Sequence, residues 1–420
     1  MSYLYPIFSL AYWAAPVIGL GITGLLARRS GGIHAVRVFV RACLAGVLLG
    51  GALAMSYASM GGTALPPREV MVTCYVGVAA VFMVLGLNWL VSQAVSRLFR
   101  LDPKAAPGGC YKAAPAAAAM IQAAILVLIA LPYLASVLLL YRPEAPTPGD
   151  PLALLDAPFQ TVHFRATDGV PIESWWIPAT RNKRTDGRGS TNRGRDAVLL
   201  CHGFGADKAK DLFLARDLVA NGYNVLAIDL RAHGRSGGHF TGFGAAEARD
   251  VLGAVRWLRV NHPQQCKRVL GLGEGLGAVA LIEASADPSR EGQAIDAIAA
   301  YNPYDEFDAV VTAVAEGHQA RFTRWAFMHL VLPIASAQVG ADLRHLSPVS
   351  AVRSLWPRPI LVLGNADSRD PVAGRTSNFY QGVLQPKYLY APDGEPQDVL
   401  HNKTAALTVR IFFDGERSIL

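Results

Sequence analysis

The residues whose types and spacing bear most directly on chemistry lie in Val269-Leu-Gly-Leu-Gly-Glu-Gly-Leu-Gly-Ala-Val-Ala280. An apolar run gives way to a glycine-rich turn and then to a helix-forming stretch, the order in which a nucleophile elbow, G-x-Ser-x-G, is built. In such a turn a strained backbone projects the serine hydroxyl toward an acyl carbon. Here the frame is Gly273-Glu274-Gly275-Leu276-Gly277, and Gly275 stands where the nucleophile belongs. Shifting the frame supplies no nucleophile. With Glu274 at the apex the flanking residues become Leu272 and Leu276, too large for a strained turn. The frame Gly271 to Gly275 puts glycine at the apex again. A dinucleotide loop, G-x-G-x-x-A over Gly273, Gly275 and Ala278, lacks an acidic residue at the end of the next strand, because Asp296 precedes that strand.

The chain that must position this turn has 420 residues, enough for more than one domain, and 52% of them are hydrophobic. The apolar excess sits in the first third. The net charge of +7 is also local: residues 1–150 hold 10 Lys and Arg against 4 Asp and Glu, while the remainder holds 29 against 28. So uneven a balance, confined to an apolar region, argues against a nucleic-acid footprint and for membrane topology. The five cysteines, Cys43, Cys74, Cys110, Cys201 and Cys266, show neither CxxC nor metal-ligand spacing. No cofactor or metal is expected.

Apolar runs of membrane-spanning length appear at about 4–26, 38–57, 70–91 and 115–141, so residues 1–141 read as a four-helix transmembrane segment. Arg28, Arg29, Arg37 and Arg41 flank the first gap, and Arg97, Arg100, Lys104 and Lys112 fill the third. The positive-inside rule makes those loops cytoplasmic and puts the rest of the chain on the extracytoplasmic side of the bilayer. Gly46 and Gly50 form a G-x-x-x-G that either lets two helices approach closely or is a glycine-rich helix without a special partner. No span carries an acidic residue in its middle, so this segment reads as an anchor and not as a transporter. A proline-rich linker, 142–154, marks the domain boundary.

From 155 to 420 short strand-like runs alternate with helical ones. Runs at 159–165 and 172–177 bracket the turn Thr167-Asp168-Gly169 as a hairpin, and further strands are expected at 197–201, 225–229, 269–273, 297–301, 359–364 and 387–390. Apolar strands alternating with helices indicate a mostly parallel sheet covered on both faces. Residues 181–196, with six basic and two acidic side chains and no apolar one, read as a solvated loop. Residues of about 302–355 form a helical cap, in which Phe322, Trp325, Ala326, His329, Leu330 and Leu332 make one apolar side.

Several motifs recur in one order: His202-Gly203-Phe204-Gly205, Asp229-Leu-Arg-Ala-His-Gly-Arg-Ser-Gly237, Glu247 and Asp250 ahead of Trp257, the glycine turn, and Gly364-Asn-Ala-Asp367 with Pro371. Together they resemble the α/β-hydrolase superfamily, in particular its serine esterase, lipase and aminopeptidase-like, membrane-tethered branch. The resemblance implies an α/β-hydrolase fold with an eight-stranded, mostly parallel sheet. It assigns Asp367 the place of the triad acid, His401 that of the base, and Gly275 that of the missing nucleophile. The backbone N–H groups of Phe204 and Leu276 would form the oxyanion hole. His202 and His233 lie in turns whose histidines bond to backbone.

Three functions follow as expectations. The first is a membrane-anchored pseudohydrolase that binds a small ester, amide or acyl ligand, or a protein partner, through a vestigial site. The second is an active hydrolase using water activated by His401 and Asp367, or another nucleophile such as Ser236 or Ser368. The third is a membrane assembly protein whose globular part only docks. Retention of Asp367, His401 and the His202-Gly203 turn favours the first.

Overall fold

The computed structural model describes residues 40–44, 46–48, 78, 81, 120, 124, 128, 131–140, 149–179, 196–307, 325, 327–364, 376–391 and 403–415. The chain divides into two compact units, Met1–Ala135 and Ser136–Leu420.

The four-helix transmembrane segment expected from the apolar runs is corrected here. Among the described residues no helix is long and apolar enough to cross a membrane. Helix α1 is described over Leu131–Leu140. The integral multi-pass membrane localisation and the extracytoplasmic placement fall with that segment. Most residues of the four expected spans lie outside the described ones, as does Gly50. At Gly46 the close approach is real: a Cβ there would fall 2.4 Å from the Cα of Val78.

In the second unit, after a helical turn α2 (Pro151–Leu155), come β1 (Gln160–Arg165), β2 (Pro171–Ile177), β3 (Asp196–Cys201), α3 (Leu212–Ala220), β4 (Asn224–Ile228), α4 (Ala248–Asn261), β5 (Arg268–Glu274) and α5 (Leu276–Ala286). They are followed by α6 (Arg290–Gln293), β6 (Ile295–Tyr301), α7 (Leu332–Val339), α8 (Pro348–Arg353), β7 (Ile360–Leu363), α9 (Thr376–Gly382), β8 (Lys387–Tyr390) and α10 (Lys403–Asp414). The eight strands form one sheet in the order β1-β2-β4-β3-β5-β6-β7-β8. β1 pairs antiparallel with β2 and β2 with β4, while β3 to β8 run parallel.

The two-residue period of a strand divides the core between the sheet's faces. Ala197, Leu199 and Cys201 of β3, Leu226 and Ile228 of β4, and Ile360 and Val362 of β7 meet side chains of α4, α5 and α8. Their neighbours Val198, Leu200, Val225, Ala227, Leu361 and Leu363 face α3 and α10. A sheet covered on both faces must be apolar on both, which is why these strands read as unbroken apolar runs. A third cluster, around Tyr304, Phe307, Leu332 and Leu346, joins the segment after β6 to Val279 of α5. Of the apolar side expected on the cap, Leu332 is buried there, whereas Trp325 and His329 are exposed with stacked rings.

Candidate active site

The strand β5 ends at Glu274 and α5 begins at Leu276, so a single residue, Gly275, makes the whole turn. Its φ of 46° and ψ of −105° lie in a region that side chains rarely occupy. Two hydrogen bonds hold it: the Gly275 N–H donates to the Tyr301 carbonyl at 2.8 Å, and its own carbonyl accepts from the Val279 N–H at 3.0 Å.

The three glycines of the turn differ in what surrounds them. A Cβ on Gly273 would stand 2.6 Å from the Ala278 nitrogen and the Gly277 carbonyl carbon. One on Gly277 would stand 2.3 Å from the Cys201 oxygen and 2.6 Å from the His202 oxygen. Both obstacles are backbone and cannot rotate aside, so these two positions admit nothing larger than glycine without moving the helix. At Gly275 a Cβ would have no heavy atom within 4 Å. The apex has open space; its flanks have none.

The second turn of the site leaves β3, whose Cys201 pairs with Gly273 of β5. The turn His202-Gly203-Phe204 therefore starts beside the Gly275 turn at the carboxyl edge of the sheet, where open α/β sheets place their sites. Leu276, as first residue of α5, has an N–H without an intrahelical acceptor. Phe204 is 42% exposed.

His202 is not a base. Its Nδ1 donates to the Gly203 carbonyl at 2.8 Å and its Nε2 accepts from the Leu230 N–H at 3.1 Å, which fixes the tautomer and ties the β3 turn to the β4 turn. Burial, reinforced by the neighbouring His233, pushes its pKa down to about 3. His233 donates from Nδ1 to the Arg231 carbonyl at 2.8 Å. Ser236, considered above as an alternative nucleophile, is excluded by its surroundings: 2% exposed, it donates to the Asp229 carbonyl at 2.6 Å and accepts from the Glu173 N–H at 2.9 Å. Asp229 is buried with Lys208 as its ion-pair partner, and Asp250 takes the Arg231 guanidinium. These acids hold turns together. Asp367, Ser368 and His401 lie outside the described residues.

The acid beside the elbow that the sequence did not single out is Asp211. It is buried one residue before α3 and shares a narrow crevice with Glu274, Cys201 and Tyr301. Burial first, and then the Glu274 carboxylate, push its pKa up to about 7, against the opposing charge of Lys210. Lys210 pairs with Glu274 at 3.4 Å. The signal was faint: an acid ahead of a helix most often caps it, and Asp211 makes no side-chain capping bond. Among the described residues no group of three or more His, Cys, Asp or Glu side chains is placed to hold a metal.

Comparison with known proteins places this geometry. Residues 192–345, which span the β3 turn, the elbow and part of the segment after β6, match the family described as serine aminopeptidase, S33. The solved esterase Pf2001 of Pyrococcus furiosus superposes with a TM-score of 0.51 and 22% identity, covering 65% of this chain and 97% of that one. The chain has the α/β-hydrolase fold. The chain is also 27% identical over 227 residues to the uncharacterized protein YqkD of Bacillus subtilis, covering 52% of this chain and 72% of that protein.

Proposed function

We propose that this protein of α/β-hydrolase fold is a pseudohydrolase: it binds a small ester, amide or acyl compound by its carbonyl but forms no acyl-enzyme. The reading is carried by one observation. The elbow keeps the two glycines that its geometry demands, Gly273 and Gly277, and has lost the side chain at the one position with room for it, Gly275. In this reading the N–H groups of Phe204 and Leu276 receive the carbonyl oxygen. Backbone donors do not depend on the side chain at the apex, so binding outlasts the loss of the nucleophile. Asp367 and His401 take the places of acid and base, with no hydroxyl at Gly275 to deprotonate. The ligand class follows from the match to a peptidase family and the likeness to an esterase, both of which act on acyl carbons.

The test is binding without turnover. The unmodified chain, titrated with a panel of short esters and anilides, binds at least one of them, and mass spectrometry recovers it intact after hours. Enzymatic release of acid and alcohol, abolished by His401→Ala, would replace this reading with hydrolysis by activated water.

A further inference from the structure

From Leu276 to Ser285 every residue of α5 is buried except one, Glu283. A helix covered on all sides is ordinarily apolar throughout, because a carboxylate there loses its hydration and needs a hydrogen bond or a countercharge in return. Among the described residues Glu283 has neither, and burial alone pushes its pKa up to about 7.

Glu283 lines a cavity of about 490 Å³ between α5 and the segment that runs from α7 into α8, a size in the range of small-molecule sites. Ala286 and the buried Leu346 give it apolar wall, and the exposed Asp342, His345 and Ser350 stand where it opens to solvent. Its polar groups offer mainly lone pairs. The His345 Nδ1 donates to the Asp342 carboxylate at 2.8 Å, which leaves that pair without net positive charge in either state of the ring. The Ser347 hydroxyl donates to the Ser350 hydroxyl oxygen at 2.9 Å, so its own oxygen retains acceptor lone pairs. Among the described residues no Lys, Arg or aromatic side chain lines the cavity, and Arg344, which reaches Asp342 at 3.7 Å, stands outside the lining.

We propose that this cavity is a binding site for a small primary amine, whose ammonium donates to the Glu283 carboxylate and the serine hydroxyl oxygens while its alkyl chain lies along Ala286 and Leu346. An ammonium supplies the countercharge that the carboxyl lacks and three N–H donors for the surrounding lone pairs. A quaternary ammonium supplies the charge without the donors and is recognised by aromatic faces, of which this lining has none. An anionic ligand would meet Glu283 and Asp342 with no lining cation to offset them. The site goes beyond the carbonyl-binding reading and does not depend on it: Glu283 lies eight residues past Gly275, and no residue of the elbow lines the cavity.

The full unmodified chain is titrated calorimetrically with n-butylammonium chloride and, separately, with tetramethylammonium chloride at the same ionic strength. Butylammonium binds, and tetramethylammonium binds at least about tenfold more weakly, the loss expected when charge-assisted hydrogen bonds are not made. Glu283→Gln keeps the shape and removes the charge; it weakens butylammonium about ten- to a hundredfold and leaves the urea midpoint unchanged or higher, since the fold loses no contact. The double variant Ser347→Ala with Ser350→Ala, which removes no side-chain capping bond from α8, weakens butylammonium about two- to tenfold and serves where Glu283→Gln does not fold. No heat from butylammonium at about 10 mM, above the dissociation constant of even a millimolar site, overturns the proposal. So do equal affinities for the two cations, or a butylammonium affinity unmoved by Glu283→Gln and by the double serine variant. Each of these results leaves the carbonyl-binding reading standing, because ester binding is measured separately.

Discussion

Substituting serine separately at Gly275 and Gly277 tests the elbow's geometry through stability alone. At Gly275 the new side chain meets no atom within 4 Å, so the cost is only that of a side chain at φ 46° and ψ −105°. Sparsely populated backbone of this kind costs about 1–3 kcal/mol. At Gly277 the Cβ would lie 2.3 Å from one backbone oxygen and 2.6 Å from another. Overpacking a core costs about 1–3 kcal/mol and more where nothing can yield; here α5 must lift off the sheet, so a loss of at least about 3 kcal/mol is expected. Urea unfolding followed by tryptophan fluorescence measures both, since Trp176 is buried in the sheet's core. Gly275→Ser should lower the midpoint modestly, and Gly277→Ser should lower it far more or prevent folding. Equal losses at the two positions would refute the assignment of an open apex between closed flanks.

Other outcomes follow from the same contacts. Asp211 has a folded pKa raised to about 7, so its contribution to stability is fully present below the unfolded value near 4 and is lost as pH rises through 7. Asp211→Asn should therefore gain stability relative to the unmodified chain at pH 8, on the order of 1–2 kcal/mol after sharing with Glu274, and little at pH 4; urea midpoints at the two pH values check the sign. His202 titrates the other way. Its folded pKa is lowered to about 3, so the stability it contributes is present above about 6.5 and is lost as pH falls toward 3, a dependence that His202→Gln should remove from the midpoint between pH 7 and pH 4. Glu247→Ala strips three donors of a buried acceptor and should cost about 3 kcal/mol, with faster amide exchange at Gly242 and Gly244. Ser236→Ala should cost about 1–2 kcal/mol through its two lost hydrogen bonds without changing ester binding.

Much of the sheet was legible because its strands are buried on both faces. The runs expected at 197–201, 269–273 and 387–390 correspond to Asp196–Cys201, Arg268–Glu274 and Lys387–Tyr390. The hairpin around Asp168 is there too, its register running from Gln160 opposite Trp176 to Arg165 opposite Pro171. Apolar composition misleads in the first third, whose runs have the length of membrane spans. Run length measures apolarity, and among the described residues no helix is long and apolar enough to cross a membrane. At the site, Gly275 announced itself through its neighbours, because a strand, a glycine frame and a helix are local. Asp211 and the Phe204–Phe243 stack did not. They arise when turns 63 and 39 residues away, at Glu274 and Phe243, come to lie against Asp211 and Phe204 after β3, and no local pattern reports such a meeting. His202 was readable as a backbone-bonded turn residue, although its second partner, the Leu230 N–H, belongs to another strand's turn.

The most direct measurement is covalent labelling by a fluorophosphonate probe, which reacts only with a serine activated in an assembled hydrolase site. The unmodified chain and the Gly275→Ser variant, each checked for folding, are exposed to the same concentration. A disarmed hydrolase predicts no adduct on the unmodified chain and one adduct on the variant, at the substituted position. An adduct on the unmodified chain, or a folded variant that takes none, would contradict it.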